Sequence, residues 1–235
     1  MIIESKYKYG SILRSCSYFY LVLLAGMIIS IVLSGAPSDT DALSKFIHEN
    51  TLRYSLGFVF ASLISLPIST IFIILAYYII DEAGNSLKSL LVVTFLIPYI
   101  VFSTFAYTSQ YILLPALLSS SITIENRLIN LMIFESSFSI PKYLDFIGYA
   151  FWGLSSFILG LKMLNSTGTG KIIAWLLIIC GITAEGGVIG MALSSKIIIF
   201  LNTFSGALTI PLIVLIIIYS VRLDRLNNKM EADNE

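Results

Sequence analysis

Charge is what this sequence has least of: Asp, Glu, Lys and Arg together make up 12% of its 235 residues. A soluble domain carries roughly twice that share, which argues against a soluble globular fold before any segment is inspected. Histidine occurs once, at His48. Bis-histidine haem ligation and multi-histidine metal sites within the membrane are therefore closed to this chain alone. Intramembrane proteases built on a Ser-His dyad or on zinc, and phosphatases working through a phosphohistidine, need histidine at membrane depth and are disfavoured with them. The two cysteines, Cys16 and Cys180, are too few for a disulfide framework, and the topology below keeps them apart. No GxxxxGKS/T run is present to cradle a nucleotide phosphate. With 14 Lys+Arg against 14 Asp+Glu and no basic block, the chain offers no footprint for nucleic acid. The expectation is a protein that is not an enzyme, has no cofactor and binds no nucleic acid.

What the sequence has is apolar length: 57% of residues are hydrophobic and the mean hydropathy is +0.91. Apolar runs fall at about 18–34, 54–80, 89–118, 146–164, 172–194 and 197–221, with most of the charge between them. An α-helix needs about 20 apolar residues to cross hydrocarbon, and these runs lack the alternation of a barrel strand. Backbone groups in lipid must pair within their own segment, so the runs predict helices. The expected fold class is all-α: a polytopic integral membrane protein forming a single six-helix transmembrane domain over 1–235, with a polar tail at 222–235. Lys6, Lys8 and Arg14 followed by an apolar run and Ser34-Gly35-Ala36 imitate a signal peptide. Pro37 directly after that site and the length of the run favour a retained helix.

Lys and Arg set the orientation. With the N-terminus inside, nine of them (Lys6, Lys8, Arg14, Lys88, Lys162, Lys171, Arg222, Arg225, Lys229) lie on the inner side and five (Lys45, Arg53, Arg127, Lys142, Lys196) on the outer. That bias selects a multi-pass protein of the cell membrane with both termini cytoplasmic. Two outer segments are then long. In the first, 35–53, Leu43, Phe46 and Ile47 follow helical spacing. The second, 119–142, carries Ile122, Ile124, Leu128, Ile129, Leu131, Met132, Ile133 and Phe134 around Glu125, Arg127 and Glu135. It is too apolar for a free loop, which predicts an interfacial helix or a re-entrant hairpin.

Glu185 is the most informative polar residue, because it falls inside the fifth run, roughly 13 Å from its outer end at 1.5 Å per residue. An ionisable group at that depth is a functional hypothesis by default. Gly186 and Gly190 give a GxxxG spacing beside it, which permits close approach of a neighbouring helix. The third run aligns Tyr99, Ser103, Tyr107 and Gln110 in one stripe; the sixth aligns Asn202, Ser205 and Thr209. The fourth opens with Asp145 and Tyr149. Glu185, Gln110, Asn202, Asp145 and Tyr107 are the candidate ligand- or proton-binding residues, expected at an outer-leaflet polar cavity around Glu185. No metal ligands or catalytic residues are expected. Ser55, Ser62, Ser65 and Ser69 with Pro67, and Gly153, Ser156 and Gly160, read as packed helix faces.

The layout resembles a domain-of-unknown-function family of six-helix prokaryotic integral membrane proteins. The resemblance rests on Asn50-Thr-Leu-Arg-Tyr-Ser-Leu-Gly57, on Tyr143-Leu-Asp-Phe-Ile-Gly-Tyr-Ala-Phe-Trp-Gly153, on Gly160-Leu-Lys-Met-Leu-Asn-Ser166 and on Ile172-Ile-Ala-Trp-Leu-Leu-Ile-Ile-Cys-Gly181. It covers most of the chain, largely through hydrophobic spacing. It implies the six-helix fold and carries no activity with it. Two functions are expected from the residues. One is a small-solute or proton-handling, transporter-like or permease-like protein. The other is a non-catalytic structural or accessory protein acting through helix contacts with a membrane-protein partner or a second copy of itself. The lipid bilayer is the partner common to both.

Overall fold

The computed structural model describes residues 2–37, 39–79, 87–119, 126–136, 138–193 and 195–232. All regular structure among the described residues is helical: α1 (Ile2–Ser34), α2 (Thr40–Glu49), α3 (Thr51–Ile74), α4 (Leu87–Thr108), α5 (Leu114–Ser119), α6 (Asn126–Met132), α7 (Ile140–Met163), α8 (Thr169–Ala192) and α9 (Lys196–Ala232). Six segments among them are long and apolar enough to cross a membrane: Tyr9–Ser34, Thr51–Tyr77, Leu87–Ser119, Ile140–Met163, Thr169–Ala192 and Ile198–Arg225. The chain is a multi-pass, all-α membrane protein in contact with lipid. Ile122, Ile124 and Glu125 of the second outer segment, and the loop at 81–86, lie outside the described residues.

The spans match the apolar runs in their centres and overrun each of them at one end or both, because a helix continues through polar residues that find a partner. Arg14 pairs with Asp224 at 2.9 Å, and Arg222 Nη1 donates to Thr169 Oγ1 at 2.6 Å. The sequence predicts a frayed tail after 222, whereas α9 stays helical to Ala232. Those two contacts hold its first turn, and Leu, Arg, Lys, Met, Glu and Ala are good helix formers. The other end of α1 is closed by Gly35 at φ 60° and by Arg53, whose Nε and Nη2 donate to the Leu33 carbonyl at 2.8 and 2.6 Å.

Contacts divide the chain into two compact units. One comprises residues 1–21, 66–98 and 149–235, the other 22–65 and 99–148. In the first, glycines set the helix spacing. A Cβ at Gly160 would stand 2.8 Å from the Ala174 carbonyl oxygen, and one at Gly181 2.7 Å from that of Gly153. Ser156 Oγ donates to the Leu177 carbonyl across the same seam between α7 and α8 at 2.9 Å. Along α8, Gly186, Gly187 and Gly190 meet Leu201, Asn202 and Ile199 of α9. The small-residue strips are thus filled by the chain's own helices.

In the second unit, Asp39 caps α2 by accepting from the Ala42 N–H at 3.0 Å. The helical spacing of that segment buries Leu43 and Ile47 with Tyr54, Leu114 and Ile133, and Phe46 packs alongside. The apolar second segment forms the seven-residue α6, which joins the same cluster through Ile129 and Met132. Between α4 and α5 lies one π-turn, Ser109–Leu113, closed by the Leu114 N–H on the Ser109 carbonyl. Pro115 explains it: proline lacks an N–H and collides with the carbonyl four residues back, so the wider turn relieves the misfit. In the first unit a second π-turn, Leu75–Ile79, extends α3. There the Ala76 carbonyl accepts from Ser89 Oγ and Lys162 Nζ, each at 2.9 Å.

Candidate functional site

Gln110 stands in the first of these π-turns and is fully buried. Its Nε2 donates to Ser109 Oγ and to the Met132 carbonyl, both at 2.9 Å. Its Oε1 accepts from the Tyr54 hydroxyl and from the Phe134 N–H, both at 3.0 Å. A primary amide has two donors and two lone pairs, and all four are used here. Gln110 therefore clamps the end of α6 and the residues after it onto α3 and α4. Phe134 stacks on Tyr107 with ring centroids 5.8 Å apart and tilts against Phe58 at 5.7 Å.

Glu135 extends this clamp. Its Oε2 lies 3.2 Å from the Tyr54 hydroxyl, and Lys142 Nζ reaches the carbonyls of Glu135 and Ser136 at 3.4 and 3.2 Å. Part of the side chain is exposed, yet the carboxyl itself is crowded against protein. Burial pushes its pKa above the usual glutamate value, against the lowering influence of its own N–H, the Tyr54 hydroxyl and the Lys142 charge.

Asp145 enters the same unit from the first turns of α7 and is only 5% exposed. The Tyr107 hydroxyl hydrogen-bonds its carboxyl, while Oδ1 has no partner among the described residues. Ser103, one turn before Tyr107 on α4, is 2% exposed and its Oγ is likewise unpartnered among them. Gly148, one turn after Asp145, faces that hydroxyl: a Cβ there would stand 2.9 Å from Ser103 Oγ. Tyr107 opposite Asp145 and Ser103 opposite Gly148 give α4 and α7 an antiparallel register.

In the first unit, Glu185 is half-buried and its Oε1 is enclosed without a partner among the described residues. That oxygen looks onto Gly153 of α7, 3.3 Å from where a Cβ would stand. Asn202 is 8% exposed, packs on Gly187, and leaves Oδ1 unpartnered among the described residues. At 100° per residue, Glu185 and Gly187 point about 200° apart, so Glu185 and Asn202 lie on different sides of α8. Of the five candidates, Tyr107 and Asp145 meet, Gln110 is committed to protein partners, and Glu185 and Asn202 remain separate.

Tyr54, Ser109, Glu135 and Lys142 were not singled out by the sequence as site residues. The available signal was Gln110 itself, since an amide in an apolar span must find partners. No spacing rule points from there to residues 54 or 134. Neither a family model, a curated protein nor a solved structure matches the chain. Fold and geometry therefore define it: a six-span helical membrane protein with, among the described residues, one buried and one half-buried carboxyl group that each lack a partner at one oxygen.

Proposed function

We propose that this chain is a transporter-like protein that handles a proton or a small solute, with Asp145 as the working acid and Glu185 as a second embedded acid. The observation that supports it is Asp145: a carboxyl deep among helices, held on one side by Tyr107 and left without a partner at Oδ1. Such a group is costly in a membrane protein and calls for a reason other than packing. Gln110 serves this reading by holding the segment after α6 over Tyr107, through the Phe134 N–H.

The accessory reading draws on small-residue faces offered to partners. Gly153, Gly160, Gly181, Gly186, Gly187 and Gly190 all meet neighbouring helices of this chain, which favours the transporter-like reading. The Lys and Arg distribution supports placement in the cell membrane with both termini cytoplasmic. The resemblance to the six-helix family of unknown function agrees with this architecture and adds no activity.

The test is flux across vesicles. Purified protein reconstituted into liposomes should dissipate an imposed proton or monovalent-cation gradient, and Asp145→Asn should return the rate to that of empty vesicles. Wild-type vesicles no leakier than empty ones would overturn proton or cation handling, and an Asp145→Asn variant as active as wild type would overturn Asp145 as the working acid.

A further inference from the structure

The seam between α4 and α7 holds two buried oxygens with no partner among the described residues, Asp145 Oδ1 and Ser103 Oγ. We propose that this seam binds one partly dehydrated monovalent alkali cation of sodium size, ligated by Asp145 Oδ1 and Ser103 Oγ. The inference rests on the reading of Asp145 as the working acid and names the class of ion it takes.

Position comes first. Tyr107 and Ser103 are one turn apart on α4, and Asp145 and Gly148 one turn apart on α7. Side chains so spaced are neighbours on one helix face, about 5–6 Å between Cβ atoms. Tyr107 fixes the carboxyl, and Gly148 has no side chain to cover Ser103 Oγ. The two free oxygens therefore share one seam, a turn apart, with Gly148 beside the hydroxyl.

Charge selects the ion. Carboxylate and hydroxyl oxygens are hard donors suited to hard cations. Among the described residues no group of three or more His, Cys, Asp or Glu gathers, so Asp145 is not part of the acidic cluster that would suit a divalent ion. A divalent ion would leave a net positive charge in a low-dielectric seam, whereas a monovalent ion leaves none. The nearest cationic side chain on the same helix, Lys142, is turned to the carbonyls of Glu135 and Ser136. The ion's remaining coordination is completed by water that it carries in.

The experiment is thermal unfolding of the full chain in detergent, with NaCl exchanged for choline chloride at constant ionic strength. Sodium should raise the Tm of wild type saturably, as expected for a ligand of the folded state. Ser103→Ala should raise the sodium concentration for half-effect by about tenfold, and Asp145→Asn should abolish the effect. Equal Tm in sodium and choline, or a sodium response unchanged in Ser103→Ala, would overturn the site; if Asp145→Asn does not fold, Ser103→Ala decides alone. Proton flux lost in Asp145→Asn without sodium stabilisation defeats the cation site and leaves the broader reading standing. Sodium stabilisation weakened in Ser103→Ala without any flux supports the site and defeats the transporter-like reading.

Discussion

The Tyr54 hydroxyl donates to Gln110 Oε1 at 3.0 Å and lies 3.2 Å from Glu135 Oε2, so one phenol on α3 joins the π-turn of α4 to the segment following α6. Two stretches far apart in sequence are held by a single buried amide and its neighbours. The cost of breaking that knot follows from what each partner loses.

Replacing Gln110 by Leu strands the Phe134 N–H and the Met132 carbonyl without their partner. Each stranded buried group costs about 1–3 kcal/mol, so the variant should lose about 2–4 kcal/mol of stability. Tyr54→Phe removes one donor and should cost about 1 kcal/mol. Thermal unfolding in detergent measures both; a Gln110→Leu variant as stable as wild type would refute the clamp.

Glu135 gives a pH dependence of definite sign. Its folded-state pKa is raised by burial, so between the unfolded and folded values the folded protein binds more protons. Its stabilising contribution is complete below the unfolded value, about 4.3, and is lost as pH rises through the folded value. The Tm of wild type should fall over that window relative to Glu135→Gln, which has nothing to titrate there. Parallel Tm profiles for the two proteins would remove Glu135 from the account.

Two glycines make an opposed pair. A Cβ at Gly160 would press on the Ala174 carbonyl and on Ile178, whereas one at Gly206 meets nothing within 4 Å. Gly160→Ala should destabilise by about 1–3 kcal/mol through overpacking. Gly206→Ala should be neutral or stabilise by up to about 1 kcal/mol through helix propensity. Thermal unfolding of the two variants in the same detergent checks the contrast.

The orientation proposed from Lys and Arg is open to labelling. His48 and Arg225 are both exposed. In a Cys16→Ser background, His48→Cys should react with an impermeant maleimide on intact cells, and Arg225→Cys only after permeabilisation. The reverse pattern would invert the topology.

The sequence shows much of the fold and little of the site, for a physical reason. Hydropathy is a local sum, so six spans could be read directly, and the period of Leu43 and Ile47 showed α2. Azimuth is not local: which way Glu185 or Asn202 faces depends on how α8 packs against α7 and α9, and hydropathy carries no such information. Gly186 and Gly190 signalled a close helix contact, though not that α9 would supply it. Gln110 was visible as an amide in an apolar run, while its partners Tyr54 and Phe134 come from distant segments. The π-turn had a local cause in Pro115, yet no feature of the sequence distinguished a widened turn from a kink.

On the proposed function the Asp145 carboxyl, though buried against Tyr107, exchanges its charge with the surrounding water. Infrared difference spectra of the reconstituted protein between low and high pH test it most directly, through the stretching band of a protonated carboxyl. The account predicts a carboxyl band that changes with pH in wild type, is missing in Asp145→Asn, and persists in Glu135→Gln. An identical difference spectrum in wild type and Asp145→Asn would contradict it.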